Sequence, residues 1–153
     1  MRNSCRISVS LALAAIVFTA ASAVAQTTIF SDGFEGAFPG SWTVGNDGGI
    51  TTHKWGNNTA RKYGGTKSVF CADNGSDSAN TYPNNLHTTM DRQSISLIGY
   101  NSATLTFRCY CNIEAGFDKL TVNVKSGGTW SAPLLTLSGS SGGWQLYSVN
   151  LNA

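Results

Sequence analysis

Ser102-Ala-Thr-Leu-Thr-Phe-Arg-Cys-Tyr-Cys-Asn-Ile-Glu114 is the stretch that decides the fold. Leu105, Phe107, Cys109, Cys111 and Ile113 fall on one face of an extended chain. Thr104, Thr106, Arg108, Tyr110 and Asn112 fall on the other. Successive side chains of a strand point to opposite faces, so this alternation describes a strand with one face on a core. A helix would scatter the apolar set around its axis.

The same period continues outward. Leu120, Val122 and Val124 alternate with Thr121, Asn123 and Lys125. Ser126-Gly-Gly-Thr129 reads as a hairpin turn, Trp130 to Leu137 as the returning strand, and Ser138 to Gly143 as a Gly/Ser loop before a strand at Trp144 to Leu151. Upstream, strands are expected at Ile29-Phe30, Trp42 to Val44, Lys67 to Ala72, Leu86 to Arg92 and Ser94 to Ile98, with loops at 45–52, 57–65 and 73–85. About nine short strands with no helical period predict an all-β, two-sheet, jelly-roll-like sandwich.

The N-terminus has a different character. Arg2 and Arg6 precede an apolar run from Ile7 to Ala21, and Ala23-Val-Ala25 supplies a small-residue cleavage pattern before Gln26. This is the layout of a signal peptide over residues 1–25, with a run too short to span a bilayer, which takes about 20 apolar residues. The expected location is therefore secreted or at the cell surface, with residues 26–153 forming one domain.

The whole chain has ten Lys and Arg against eight Asp and Glu; Arg2 and Arg6 lie in the signal, so the remainder carries eight of each. A neutral domain whose only adjacent cations are Arg61-Lys62 lacks the basic footprint of a nucleic-acid binder or a polybasic membrane patch.

Three cysteines follow the signal: Cys71, Cys109 and Cys111. Export favours a disulfide, and an odd count allows one bridge within the chain. Neighbours at i and i+2 of a strand seldom bridge each other, so Cys71 is expected to pair with Cys109 or Cys111. The alternatives are three buried thiols, or a zinc site with His87 that the Cys-x-Cys spacing disfavours.

Ser31-Asp-Gly-Phe-Glu-Gly36, Phe38-Pro-Gly-Ser-Trp-Thr43 and Ser68-Val-Phe-Cys-Ala72 occur in order, ahead of Ser102-Ala-Thr-Leu-Thr-Phe107, Glu114-Ala-Gly-Phe-Asp-Lys-Leu-Thr-Val122 and Ser140-Ser-Gly-Gly-Trp-Gln145. Their series resembles the MAM-like jelly-roll modules of secreted bacterial proteins, the cleaved-adhesin and choice-of-anchor J group, over residues 29–151. The resemblance implies a non-catalytic adhesion or binding module with an extracellular glycan or protein as ligand. The alternative it implies is an accessory domain of a secreted protease or other hydrolase. Two departures stand out. Cys109-Tyr-Cys111 occupies positions where such modules carry tyrosine and tryptophan. The modules also run on past the equivalent of Ala153 to an acidic pair, which implies that C-terminal strands are missing here.

Hard cations take several oxygen ligands from loops between strands. The resemblance points to Asp32 and Glu35 as ligands of a structural calcium ion; in the loops, Asp73 and Asp77 of Asp73-Asn-Gly-Ser-Asp77 and Asp118 after its turn are further candidates. The competing reading makes Asp32, Asp73 and Asp77 turn residues that cap their own backbone.

Catalytic signatures are near-misses only. Gly139-Ser-Ser-Gly-Gly143 differs by one residue from the serine-protease Gly-Asp-Ser-Gly-Gly, but His53 and His87 sit in unrelated polar contexts. Eight carboxylates leave a glycosidase pair open without singling one out. For ligand stacking, Tyr63, Tyr82 and Trp130 lie in or beside loops, whereas Trp42, Trp55 and Trp144 read as core. Asn57 and Asn74 head Asn-x-Ser/Thr sequons.

Overall fold

The computed structural model describes residues 26–49, 52–74 and 81–152. The signal segment 1–25 and Asp77 lie outside them. Among these residues ten strands occur in the order β1 (Trp42–Gly49), β2 (Lys54–Asn58), β3 (Ser68–Asp73), β4 (Leu86–Arg92), β5 (Thr104–Asn112), β6 (Leu120–Val122), β7 (Lys125–Ser126), β8 (Thr129–Trp130), β9 (Leu135–Leu137) and β10 (Ser140–Asn150). No helix is present among the described residues, so the fold is all-β. The strands pair antiparallel as β1-β4, β2-β3, β5-β10, β6-β9 and β7-β8. This is consistent with a sandwich, although the pairs do not close into one.

The quoted stretch forms β5. Its partner β10 places Tyr147 opposite Phe107 and Val149 opposite Leu105 on the inner face; Trp144 opposite Tyr110 and Leu146 opposite Arg108 share the outer face. Phe107 and Tyr147 stack with centroids 5.6 Å apart. Among the described residues the buried apolar ones are Ala72 on β3, Cys111 on β5 and Val149 on β10. No large side chain is completely enclosed among the described residues, so the core is thin.

The strands of the first half are stitched by side chains. Thr88 Oγ1 on β4 donates to the Cys71 carbonyl on β3 at 3.0 Å. Asn46 Nδ2 on β1 donates to the His53 carbonyl at 3.3 Å. Strands β6 to β9 form one interrupted hairpin, bridged where the ladders break by Ser131 N to Val124 O and Leu134 N to Val122 O, both 2.8 Å.

Several expected boundaries shift. Ile29-Phe30 forms no strand; Phe30 instead packs edge-on against Trp42 at 5.7 Å, with the Arg92 guanidinium 4.7 Å above its ring. Residues 45–49, expected as loop, continue β1 through a bulge between Asn46 and Gly48. The run at 94–98 has the strand period but no ladder partner, and Ile98 is 91% exposed.

The Gly/Ser run belongs to β10 rather than to a loop. The ladder jumps from Ser140↔Asn112 to Trp144↔Tyr110, leaving residues 141–143 as a bulge. Ser141 Oγ accepts from Cys111 N–H at 3.0 Å and stands 3.1 and 2.6 Å from the Cys111 and Gly143 carbonyls. A side chain thereby replaces ladder bonds that the bulge removes, which keeps the backbone groups of β5 satisfied.

Candidate binding cleft

The outer face of β5 and β10 carries the most organised group of exposed side chains. Arg108 and Tyr110 lie two residues apart on β5, and Trp144 stands opposite Tyr110. The segment between β2 and β3 crosses this face and adds Arg61 and Tyr63. Arg61 stacks over Tyr110 at 4.0 Å, and Tyr110 meets Trp144 edge-on at 6.2 Å. Trp144 meets Tyr63 edge-on at 6.2 Å, and Arg108 covers the Tyr63 ring at 4.4 Å. The result is a continuous ladder with a guanidinium at each end and three rings between. Ring edges carry partial positive charge and ring faces partial negative charge, which is why the contacts take these geometries.

Arg108, Tyr63 and Trp144 of the ladder form one wall of an open cleft of about 560 Å³, while Tyr110 and Arg61 continue the ladder outside its lining. Residues 32–35 form a second wall, the start of β3 a third, and Leu146 a protruding rim that is 59% exposed. The lining is mostly apolar, and Tyr63 is 58% exposed at its mouth.

The mouth is held by the two carboxylates at its edge. Asp32 accepts from Phe34 N–H at 2.7 Å, an Asx-type turn, and from the Trp42 indole N–H at 2.9 Å. Glu35 reaches across to the β2-β3 loop, accepting from Thr66 N–H at 3.0 and 3.1 Å, from Lys67 N–H at 3.2 Å and from the Thr66 hydroxyl. The Thr66 hydroxyl and then the two N–H groups hold this carboxyl below its ordinary value of 4.5. Gly65 makes the approach possible: its φ is +66°, and a Cβ there would stand 2.1 Å from Glu35 Oε1.

The other expected site residues are dispersed. Asp73 lies over Gly56 at the β2-β3 bulge, where an added Cβ would meet Asp73 Oδ2 at 1.9 Å. Asp118 accepts from the Tyr82 hydroxyl, and that oxygen in turn accepts from Glu114 N–H at 3.0 Å. The Asp118 partner raises the Tyr82 pKa. Tyr82 and Asp118 thus meet, with His87 and Glu114, around a separate polar cavity of about 430 Å³. Trp130 is half exposed on the hairpin formed by β7 and β8, with Lys125 Nζ 5.4 Å above its ring. Asp32, Glu35, Asp73 and Asp118 do not converge, and no three His, Cys, Asp or Glu side chains stand together as metal ligands among the described residues.

Cys71, Cys109 and Cys111 are free thiols in this structure. Burial, and then the neighbouring thiols, push Cys109 up to about 11; burial does the same to Cys71, with Cys111 adding to it. The three therefore share one poorly solvated neighbourhood between β3 and β5.

Sequence reasoning placed Tyr63 in the site but assigned Trp144 to the core and left Arg61, Arg108 and Tyr110 without a role. The legible signal was Arg108-x-Tyr110 on the polar face of β5. An aromatic residue on a solvent-facing row asks for a partner.

Comparison with family models, with curated proteins and with solved structures gives no match for this chain.

Proposed function

We propose that the protein is an exported, non-catalytic adhesion module that binds glycan chains in the cleft beside the arginine-aromatic ladder. The observation that carries this reading is the exposed ring of Tyr63, fixed by Arg108 and Trp144 beside an open, mostly apolar cleft. Sugar rings present apolar C–H faces that stack on aromatic rings, while an open cleft admits a polymer along its length. The resemblance to MAM-like modules and the layout of residues 1–25 support an extracellular setting.

The test is a pull-down of the mature chain on insoluble polysaccharides, alongside Tyr63→Ala. Retention of the wild type and its loss in Tyr63→Ala, with the thermal midpoint little changed, is the expected result. Retention unaffected by the substitution, or turnover that releases reducing ends, would contradict it.

In an oxidising compartment the Cys71 thiol is proposed to bridge to Cys109 or Cys111. Alkylation of the exported chain without reductant then labels one cysteine of the three; three labelled cysteines would refute the bridge.

A further inference from the structure

The ladder carries more chemistry than stacking requires. Arg61 and Arg108 each place the guanidinium carbon over a tyrosine ring, 4.0 and 4.4 Å from its centroid. Both side chains are exposed, and among the described residues neither guanidinium has a hydrogen bond or an ion pair. A guanidinium held over a ring still presents its planar fork of N–H donors, which suits a carboxylate, sulfate or phosphate.

The nearby acids do not compete for these forks. Asp32 is taken up by Phe34 N–H and the Trp42 indole, and Glu35 by Thr66 and Lys67. Lys67 also lines the cleft. The cleft therefore offers apolar rings flanked by cationic donors, although the domain as a whole is neutral. A neutral glycan would leave the two forks to water. A chain with anionic groups spaced along apolar rings would use both.

We propose that the ligand is an acidic polysaccharide that lies in this cleft with sugar rings against Tyr63 and Trp144 and a carboxylate or sulfate group on Arg108, and that follows the ladder out of the cleft to place another on Arg61. The proposal rests on the glycan-binding reading above and specifies its ligand class.

Affinity electrophoresis of the mature chain at physiological ionic strength tests it, with dextran, dextran sulfate and polygalacturonate as the probes in the gel. At least one acidic polymer is expected to retard the wild type roughly tenfold more strongly than dextran, the scale of one well-made charged contact. Dextran sulfate or polygalacturonate as the stronger probe identifies sulfate or carboxylate as the anion. Arg108→Ala and Arg61→Ala are each expected to weaken that retardation several-fold. Arg108→Lys is expected to weaken it as well, because a lysine keeps the charge but loses the fork.

Retardation by dextran equal to that by the acidic polymers, and lost in Tyr63→Ala, would overturn the acidic ligand and leave glycan binding standing. Retardation by acidic polymers that is unchanged in both arginine variants would overturn the assignment to this cleft. No retardation by any polymer would overturn both readings. A thermal melt of each variant identifies any that fails to fold; Arg108→Lys, which preserves the charge and most of the side chain, then carries the test.

Discussion

Glu35 shows how much one residue can organise here. Its carboxylate accepts hydrogen bonds from the Thr66 hydroxyl and from two backbone N–H groups, tying residues 32–35 to the β2-β3 loop. Because these donors favour the charged form, the folded pKa lies below the unfolded value near 4.5. The tie is thus fully present above that value and is lost as pH falls through the lower, folded pKa. Thermal melts from pH 7 down to pH 3 are expected to show a falling midpoint, with a shallower fall in Glu35→Gln. An identical slope in the variant would deny the carboxylate this role. Asp32 and Glu35 were legible as important from the Asp-Gly-Phe-Glu phrase. Their job was not, because a carboxylate suited to a cation is equally suited to N–H donors, and only the fold shows which arrive.

At the scale of elements, legibility followed period and length. Strand β5 was readable because five apolar residues at period two fit nothing else, and β4 matches its expected range. Residues 94–98 had the same alternation and failed as a strand, since a strand needs a ladder partner that no local pattern reveals. The start of β10 was misread for the opposite reason. Gly142 and Gly143 look like a loop, with φ of +67° and +152°, but the ladder resumes beyond them as a bulge sealed by Ser141. Ser141→Ala leaves Cys111 N–H without its partner. It is expected to cost about 1–3 kcal/mol in urea unfolding, the penalty for an unsatisfied, largely buried backbone group. A cost near zero would show that the bulge holds without its hydroxyl. Since β10 also carries Trp144, the bulge sets the register that brings this ring opposite Tyr110 and under the reach of Tyr63.

At the scale of the molecule, the cleft and the ladder beside it are assembled from pieces distant in sequence: residues 32–35, the loop carrying Arg61 and Tyr63, Arg108 and Tyr110 on β5, and Trp144 on β10. The individual residue types were visible, but their meeting depends on the loop between β2 and β3 crossing the outer face of the β5-β10 pair. The alternation in β5 names that face as the polar one and gives no reason for the loop to cover it. The ring and guanidinium contacts supply the reason, each worth about 0.5–1 kcal/mol at an exposed site. That outer face is therefore both what fastens the loop and what is offered to a ligand, while the buried Cys111 and Val149 point to the opposite face of the β5-β10 pair.

Tryptophan fluorescence tests the central claim most directly. Trp144 is one of four tryptophans and the one seated in the ladder. Titrating the mature chain with the polysaccharide that retains it is predicted to give a saturable change in emission that disappears in Trp144→Phe. The same saturable change in Trp144→Phe would place the ligand elsewhere and contradict the account.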